Sequence, residues 1–532
     1  MSLPFHVNCS RSDATRIGHC GRWARRGLLV AGIIGLTAAG KMIVTNFSVV
    51  ATLHSPVAEH IDQTDLLTQI QQGQGAAAFD EAFEVGDEMF ETRFNSLDGG
   101  GANVGDGQRY TRMPRADLLA PGQWAAHVPA RATGPNAETC ANCHNRPVTD
   151  GAGGPEANVH RDPLHTGDIR RMIQRNTPPT FALGALQRLA EEMTVTLQGI
   201  RTQLAASVRA SNRPASVPLV AKGVDFGVLR AVPAQGRPGG IQFDNRQVAG
   251  VDADLVVKPF QWKGSERFVR DFVRGAGHNE LGMQAVELIG VGVDGDGDGV
   301  ANELSVGDIT ALTVYQAAQP RPVTKIELAS LGLIPALDQA VVDAIGRGSS
   351  AFDAVGCAAC HKHSLVLDDP VFREPSAHPS YRDTLFPSGA DPASLGLRSD
   401  FPLTIDLSDN HVENVIVVNG QEVRLGSLPH VAGSTAAVVE LLGDLKRHDM
   451  GPGLAERIDE VGTGASVFMT ENLWGVGSSA PYLHDGRATT LTEAILEHGG
   501  EAAAARSAFL ALPTAAQADL IAFLDNQVLF KQ

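Results

Sequence analysis

Apolar and polar positions along this chain follow two periods, and the period changes several times. In "PTFALGALQRLAEEMTVTLQGIRTQLAASV" (179–208) apolar residues return every three or four positions, which predicts one long amphipathic helix. "ALDQAVVDAIGRG" (336–348) repeats the pattern, with Leu337, Val341 and Ile345 on one predicted face. Between 215 and 260 the texture shifts to short β-rich runs such as "GVLRAV" and "ADLVV", separated by Gly and Pro. "VIVVNGQEVRL" predicts a hairpin turning at Asn419-Gly420. Near the C-terminus, Thr490 and Glu493 form a capping box that opens a helix ending at Gly499-Gly500, with Leu491, Ile495 and His498 at i, i+4 and i+7. The Pro-rich "QPRPVTK" (319–325) marks the best domain boundary.

The expected fold is therefore mainly α, in two domains with a small β-rich insert. Residues 46–325 would form the first domain, with the insert at about 215–260, and residues 326–532 the second. A length of 532 residues with 43% hydrophobic residues suits two cores of this size. The net charge of -17 argues against nucleic acid or anionic lipid as a partner and favours basic partners or bound cations.

Residues 1–45 read as a signal peptide, with an N-terminal anchor as the alternative. Arg22, Arg25 and Arg26 precede the apolar run "GLLVAGIIGLTAAG", Lys41 follows it, and Ala38 and Ala39 lie near a cleavage site. The expected location is periplasmic or otherwise exported. Cys9 and Cys20 lie upstream of the apolar run, which leaves four of the six cysteines to the exported part.

Those four form two copies of one pattern: Cys140, Cys143 and His144 in "CANCH", and Cys357, Cys360 and His361 in "CAACH". C-x-x-C-H is the attachment signature of c-type haem, so both expected domains would be cytochrome c-like. Two thiols two residues apart can form thioethers to the two vinyl groups of one haem, while the adjacent imidazole reaches the iron. A shared zinc site and a pair of structural disulfides are the competing explanations; a Cys-x-x-Cys redox motif would lack the His. His498 is placed either as a histidine favoured by a helix C-terminus or as a sixth ligand to haem iron.

"DGDGDGVANE" (294–303) is a separate signal. Asp294, Asp296 and Asp298 followed by Gly299 match positions 1, 3, 5 and 6 of a calcium loop, since alternate carboxylates can wrap one hard cation. Ser305 stands at position 12, where an EF-hand has a bidentate Glu, so Asn302, Glu303 or Asp308 would have to complete the shell. A solvated acidic loop spanning 294–305 is the plainer alternative.

With both haem motifs, "RNTPPTFALGAL" (175–186), "PFQWKG" (259–264), "LKRHDMG" (445–451), "ENLWGVG" (471–477) and "APYLHDGRATTLTEAILEHGGEA" (480–502), the chain resembles the bacterial di-haem oxidoreductases related to di-haem cytochrome c peroxidase. The resemblance runs from about residue 80 onward. It implies His144 and His361 as proximal iron ligands. The sixth ligand of the C-terminal haem then falls fourteen residues after His484, at His498, where the peroxidases usually have Met. It further implies Trp262 as an electron relay between the haems, Glu280 as the acid that moves a proton during O–O cleavage, and His160 as a removable iron ligand in the N-terminal domain. The expected activity is peroxide reduction at the N-terminal haem, with a small redox protein as electron donor or acceptor. An oxygenase or protein-modifying oxidase acting on oxygen, and a non-enzymatic di-haem electron carrier, are the alternatives.

Overall fold

Where the chain has a 3.6-residue apolar period it folds as helix, and its terminal residues explain the limits. A computed structural model describes residues 56–102, 109–110, 123–237, 239–409 and 415–531. The segment read as signal or anchor lies outside the described residues. Helices α1 (Gln63–Gln71) and α2 (Gly75–Glu91) lead into α3 (Leu183–Ser211). Leu186, Leu189, Met193 and Leu197 bury one stripe of α3, and Asn212, left-handed at φ 52, stops it. The chain continues through α4 (Val269–Ala276), α5 (Val306–Ala317) and α6 (Gln339–Ala354) to α7 (Leu491–Glu497), α8 (Ala503–Ala511) and α9 (Thr514–Asp525).

Strands join these helices as small antiparallel ribbons. β1 (Val159–Arg161) pairs with β2 (Ile173–Arg175). β3 (Ala215–Ala221), β4 (Val224–Pro233) and β5 (Ile241–Val248) form a three-stranded sheet in that order. β6 (Val323–Thr324) pairs with a strand at Gln527–Val528, which brings the C-terminus back to residues 319–325. β7 (Leu365–Leu367) pairs with Ala437–Val439, and β8 (Val371–Glu374) pairs with β9 (Leu403–Asp406). β10 (Val415–Val418) and β11 (Gln421–Arg424) form the hairpin at Asn419-Gly420, whose positive φ values of 51 and 79 suit its two-residue turn.

The mainly α, cytochrome c-like expectation is corrected by this architecture. Helix accounts for 36% and strand for 16%, and the sheets are several and small. The stretch from His361 to Thr490 explains the difference. Its Pro, Gly and Asp residues break helical runs, and its strands pair with partners that local periodicity does not reveal.

From Pro56 onward the chain forms one compact unit. Its largest apolar cluster joins Phe83, Leu189 and Tyr315 to Phe372, Ile405 and Trp474, residues on both sides of 319–325. A second cluster, with Ile345, Phe352, Leu491 and Leu524, packs behind the second Cys pair. The predicted face of α6 is partly rotated: Ile345 is buried, whereas Val341 is 43% exposed. Gly348 shares the buried face and lets α6 approach α9 so closely that a Cβ there would collide with the Asp519 carbonyl oxygen. Gly348→Ala gains about 1 kcal/mol of helix propensity, but the overpacking costs about 1–3 kcal/mol and wins. A lower Tm is the expected result, read by circular dichroism.

Candidate functional site

The C-terminal motif is built at a helix end. α6 stops at Ala354, Gly356 turns the chain at φ 90, and a single tight turn, Cys357–Ala359, presents Cys357, Cys360 and His361. The His361 ring holds the Leu442 carbonyl oxygen through Nδ1 at 3.1 Å. His498 caps α7 and holds the Ala494 carbonyl through its own Nδ1 at 2.7 Å. In each ring, Nδ1 acting as the donor leaves Nε2 as the atom for a metal.

The two rings face each other across a cleft, with centroids 6.4 Å apart. Two metal–imidazole bonds of about 2 Å, plus roughly 1 Å from each nitrogen to its ring centre, give about 6 Å, the separation of two ligands on one iron. Burial pushes His361 down to about 4, with His498 adding to the effect, and burial also lowers His498. Both are therefore neutral imidazoles near pH 7, the form that binds metal. Cys357 lines the same cleft, as do Phe352, Leu491 and Ile495. Cys140, Cys143, Cys357 and Cys360 form no disulfide in the structure. A pair of thiols, a neutral imidazole beside them, a second imidazole opposite and an apolar wall fit a haem.

Sequence reasoning missed the group beside this cleft. His448 Nε2 lies 3.0 Å from Asp444 and its Nδ1 2.8 Å from Glu501, while Cys360 Sγ is 3.9 Å from Nδ1. Burial works against the charged form, but the hydrogen bonds to Asp444, Cys360 and Glu501 prevail and raise His448 to about 10. The cleft edge therefore carries an imidazolium between two carboxylates. The only sequence signal was the "RHD" within a stretch quoted for its resemblance.

The N-terminal motif hangs from α2. Thr139 donates to the Phe90 carbonyl at 2.8 Å and accepts from the Ala141 amide at 3.3 Å, which fixes the turn carrying Cys140 and Cys143. His144 Nδ1 lies 3.3 Å from the Gly151 carbonyl oxygen, and burial lowers its pKa. Burial also pushes the Cys140 thiol up to about 12. Asp150, fully buried, accepts from Tyr315 at 2.7 Å, Gln316 at 3.0 Å and Lys531 at 2.7 Å.

One tripeptide connects the two motifs. Trp262, on the wall of the C-terminal cleft, donates its indole N–H to the Asn176 carbonyl at 2.9 Å. Asn176 also donates to the carbonyls of Pro481 at 2.6 Å and His484 at 2.7 Å. Thr177 accepts from Gly153 at 3.0 Å, and the Pro178 carbonyl acts on His144.

Glu280 lies in a π-helical turn, Gly277–Leu281, that continues α4. Its carbonyl accepts from the amides of Asn136 (2.8 Å) and Ala137 (3.0 Å), just ahead of Cys140. The buried Arg131 guanidinium binds the carbonyls of His278 and Asn279 and faces the charges of Glu280, Asp296 and Glu303. Burial, then Arg131, pushes His278 down to about 3. His160 sits half-buried in β1 opposite Gln174, its carbonyl accepting from the Thr133 hydroxyl at 3.0 Å. Residues 130–137 therefore have β1 against them on one side and the Glu280 turn on another.

Asp294, Asp296 and Asp298 bring carboxylate oxygens within 4.8 Å of one another. Glu303 is buried beside them; burial raises it to about 9, despite an opposing hydrogen bond from Gln284.

The segment that holds His448, His484 and His498 is the part of the chain that a family model matches. Residues 413–527 match the family described as "Di-haem oxidoreductase, putative peroxidase". The stretch that carries the di-haem oxidoreductase match thus includes the cleft wall and the second imidazole, while both Cys pairs precede it. Among solved structures the chain is similar to hydrazine synthase of Kuenenia stuttgartiensis pressurized with 20 bar xenon, at 14% identity and a TM-score of 0.28, over 93% of this chain and 99% of that one. It is also similar to a MauG-like protein associated with microbial copper homeostasis, at 16% identity and a TM-score of 0.25, over 54% of this chain and 74% of that one. No curated protein matches the sequence.

Proposed function

We propose that the chain is an exported di-haem c-type oxidoreductase that reduces peroxide at the His144 motif and receives electrons through the His361 motif. The observation that carries this reading is the pair of neutral imidazoles, His361 and His498, facing each other at 6.4 Å across a cleft walled by a Cys-x-x-Cys pair. Bound haem supplies iron that exchanges single electrons and, where one face is open, reacts with peroxide.

The residues of the chain set the rest. Cys140 and Cys143, like Cys357 and Cys360, would tether through thioethers. His361 and His498 would both hold the iron at the C-terminal site and so keep substrate from it. Trp262 bridges from that cleft to Asn176, on the tripeptide that reaches His144. The Glu280 carboxyl would take a proton from one peroxide oxygen and return it to the other, with the Arg131 charge close by. A small basic redox protein suits the acidic surface as electron donor.

Carbon monoxide titration of the reduced protein tests the reading: one of two haems should bind it. No binding would favour an electron carrier, and binding at both would remove His498 as a ligand. Glu280→Gln should slow peroxide turnover with a one-electron donor about 10²-fold or more, with an unchanged Soret band. Full activity in that variant would exclude Glu280 as the acid.

A further inference from the structure

The loop at 294–303 offers a hard cation oxygen ligands alone. Asp294, Asp296 and Asp298 converge within 4.8 Å, and the chain wraps around Asp294, which accepts from the amides of Gly297 at 2.7 Å and Gly299 at 2.9 Å. An acidic loop of this kind is common without an ion. Glu303 is the independent observation. It is 2% exposed, and its Oε2 accepts from the Gln284 amide at 2.7 Å. Its Oε1 is enclosed with no hydrogen-bond partner, and the charges it faces are Asp296, Asp298 and Asp294. A buried carboxylate oxygen without a donor is costly unless a cation completes it.

Glu303 cannot swing away to water. Gly99, at φ 89, lies flat against its carboxyl, and a Cβ there would run into Glu303 Cγ and Cδ. Two guanidiniums approach the cluster: Arg109, 2.6 Å from Asp298, and Arg131, which faces Asp296 and Glu303. Arg131 also faces Glu280, so two guanidiniums are shared among five carboxyl groups and the cluster is short of positive charge.

We propose that Asp294, Asp296, Asp298 and Glu303 bind one calcium ion, with Glu303 closing the shell from outside the Asp-rich turn. Ser305, at the twelfth position of the loop, is committed elsewhere: it caps α5 by accepting from the Asp308 amide at 3.0 Å, and Asp308 accepts from its backbone at 2.7 Å. Asn302 is likewise committed, accepting from the Gly292 amide at 2.6 Å. Oxygen-only ligands on a Gly-rich turn favour calcium over zinc, and the turn's adaptability favours it over magnesium.

The test uses the full-length haem protein after chelator treatment, titrated with calcium alone and read by Tm and by displacement of terbium luminescence. Saturable binding of one calcium with a rise in Tm is expected, and a smaller response to equal magnesium. Glu303→Gln should weaken calcium binding by roughly tenfold or more, since ligand charge sets affinity in such sites. Asp296→Asn should do the same, and it decides the matter if the Glu303 variant does not fold. Absence of saturable calcium binding, or wild-type affinity in the folded variants, would overturn the proposal. Neither readout depends on peroxide chemistry, so failure here is separable from failure of the haem reading.

Discussion

Under the proposed function, Cys357→Ser combined with Cys360→Ser is expected to yield a protein with one covalent haem, against two expected in the wild type. Denaturing mass spectrometry reads this directly, because His361 and His498 alone could retain a haem that acid then extracts. The motif hangs between α6 and the Leu442 carbonyl, its imidazole is neutral, and the cleft is walled by Phe352, Leu491 and Leu524. Those walls belong to the second apolar cluster, so weaker retention of the group between them should also lower the Tm of the C-terminal region. A wild-type mass lacking two haem increments, or a double variant that keeps both, would sink the assignment.

The second large effect is expected at His498. Replacing it by Met should raise the midpoint potential of the C-terminal haem by ~0.2 V, a fraction of the ~0.8 V that axial ligation spans. Imidazole donates more strongly to ferric iron than a thioether does, and His498 is oriented to act as such a donor by the Ala494 carbonyl at 2.7 Å. The capping box of Thr490 and Glu493 begins the short helix that places it, and Met is flexible enough to reach the same point. His498→Ala should instead open that face, so that both reduced haems bind carbon monoxide. Spectroelectrochemistry checks the first outcome and a carbon monoxide titration the second. An unchanged potential in the Met variant would mean that some other group closes the site.

Several parts of the site were legible because their determinants are local. The capping box at Thr490, the turn at Asn419-Gly420 and the long stripe of α3 each depend on residues a few positions apart. His498 could be placed on the same helical face as Leu491 and Ile495 for the same reason, and all three line the cleft. The fold class was misjudged because short ribbons such as β7 with Ala437–Val439 are stabilised by partners some seventy positions away. Within one such strand there are too few residues to display a period.

By itself, the sequence determined the chemistry that needs only neighbours: thiols two apart, an adjacent imidazole, alternating aspartates and a capped helix. Tertiary structure alone decided which distant groups meet. It set His361 opposite His498, placed His448 between Asp444 and Glu501, and turned Glu303 toward the Asp loop. It also laid Asn176 between Trp262 and the His484 segment, and brought Lys531 back to Asp150. Packing, burial and the need to satisfy buried polar atoms act through space, so separation along the chain carries no record of these meetings.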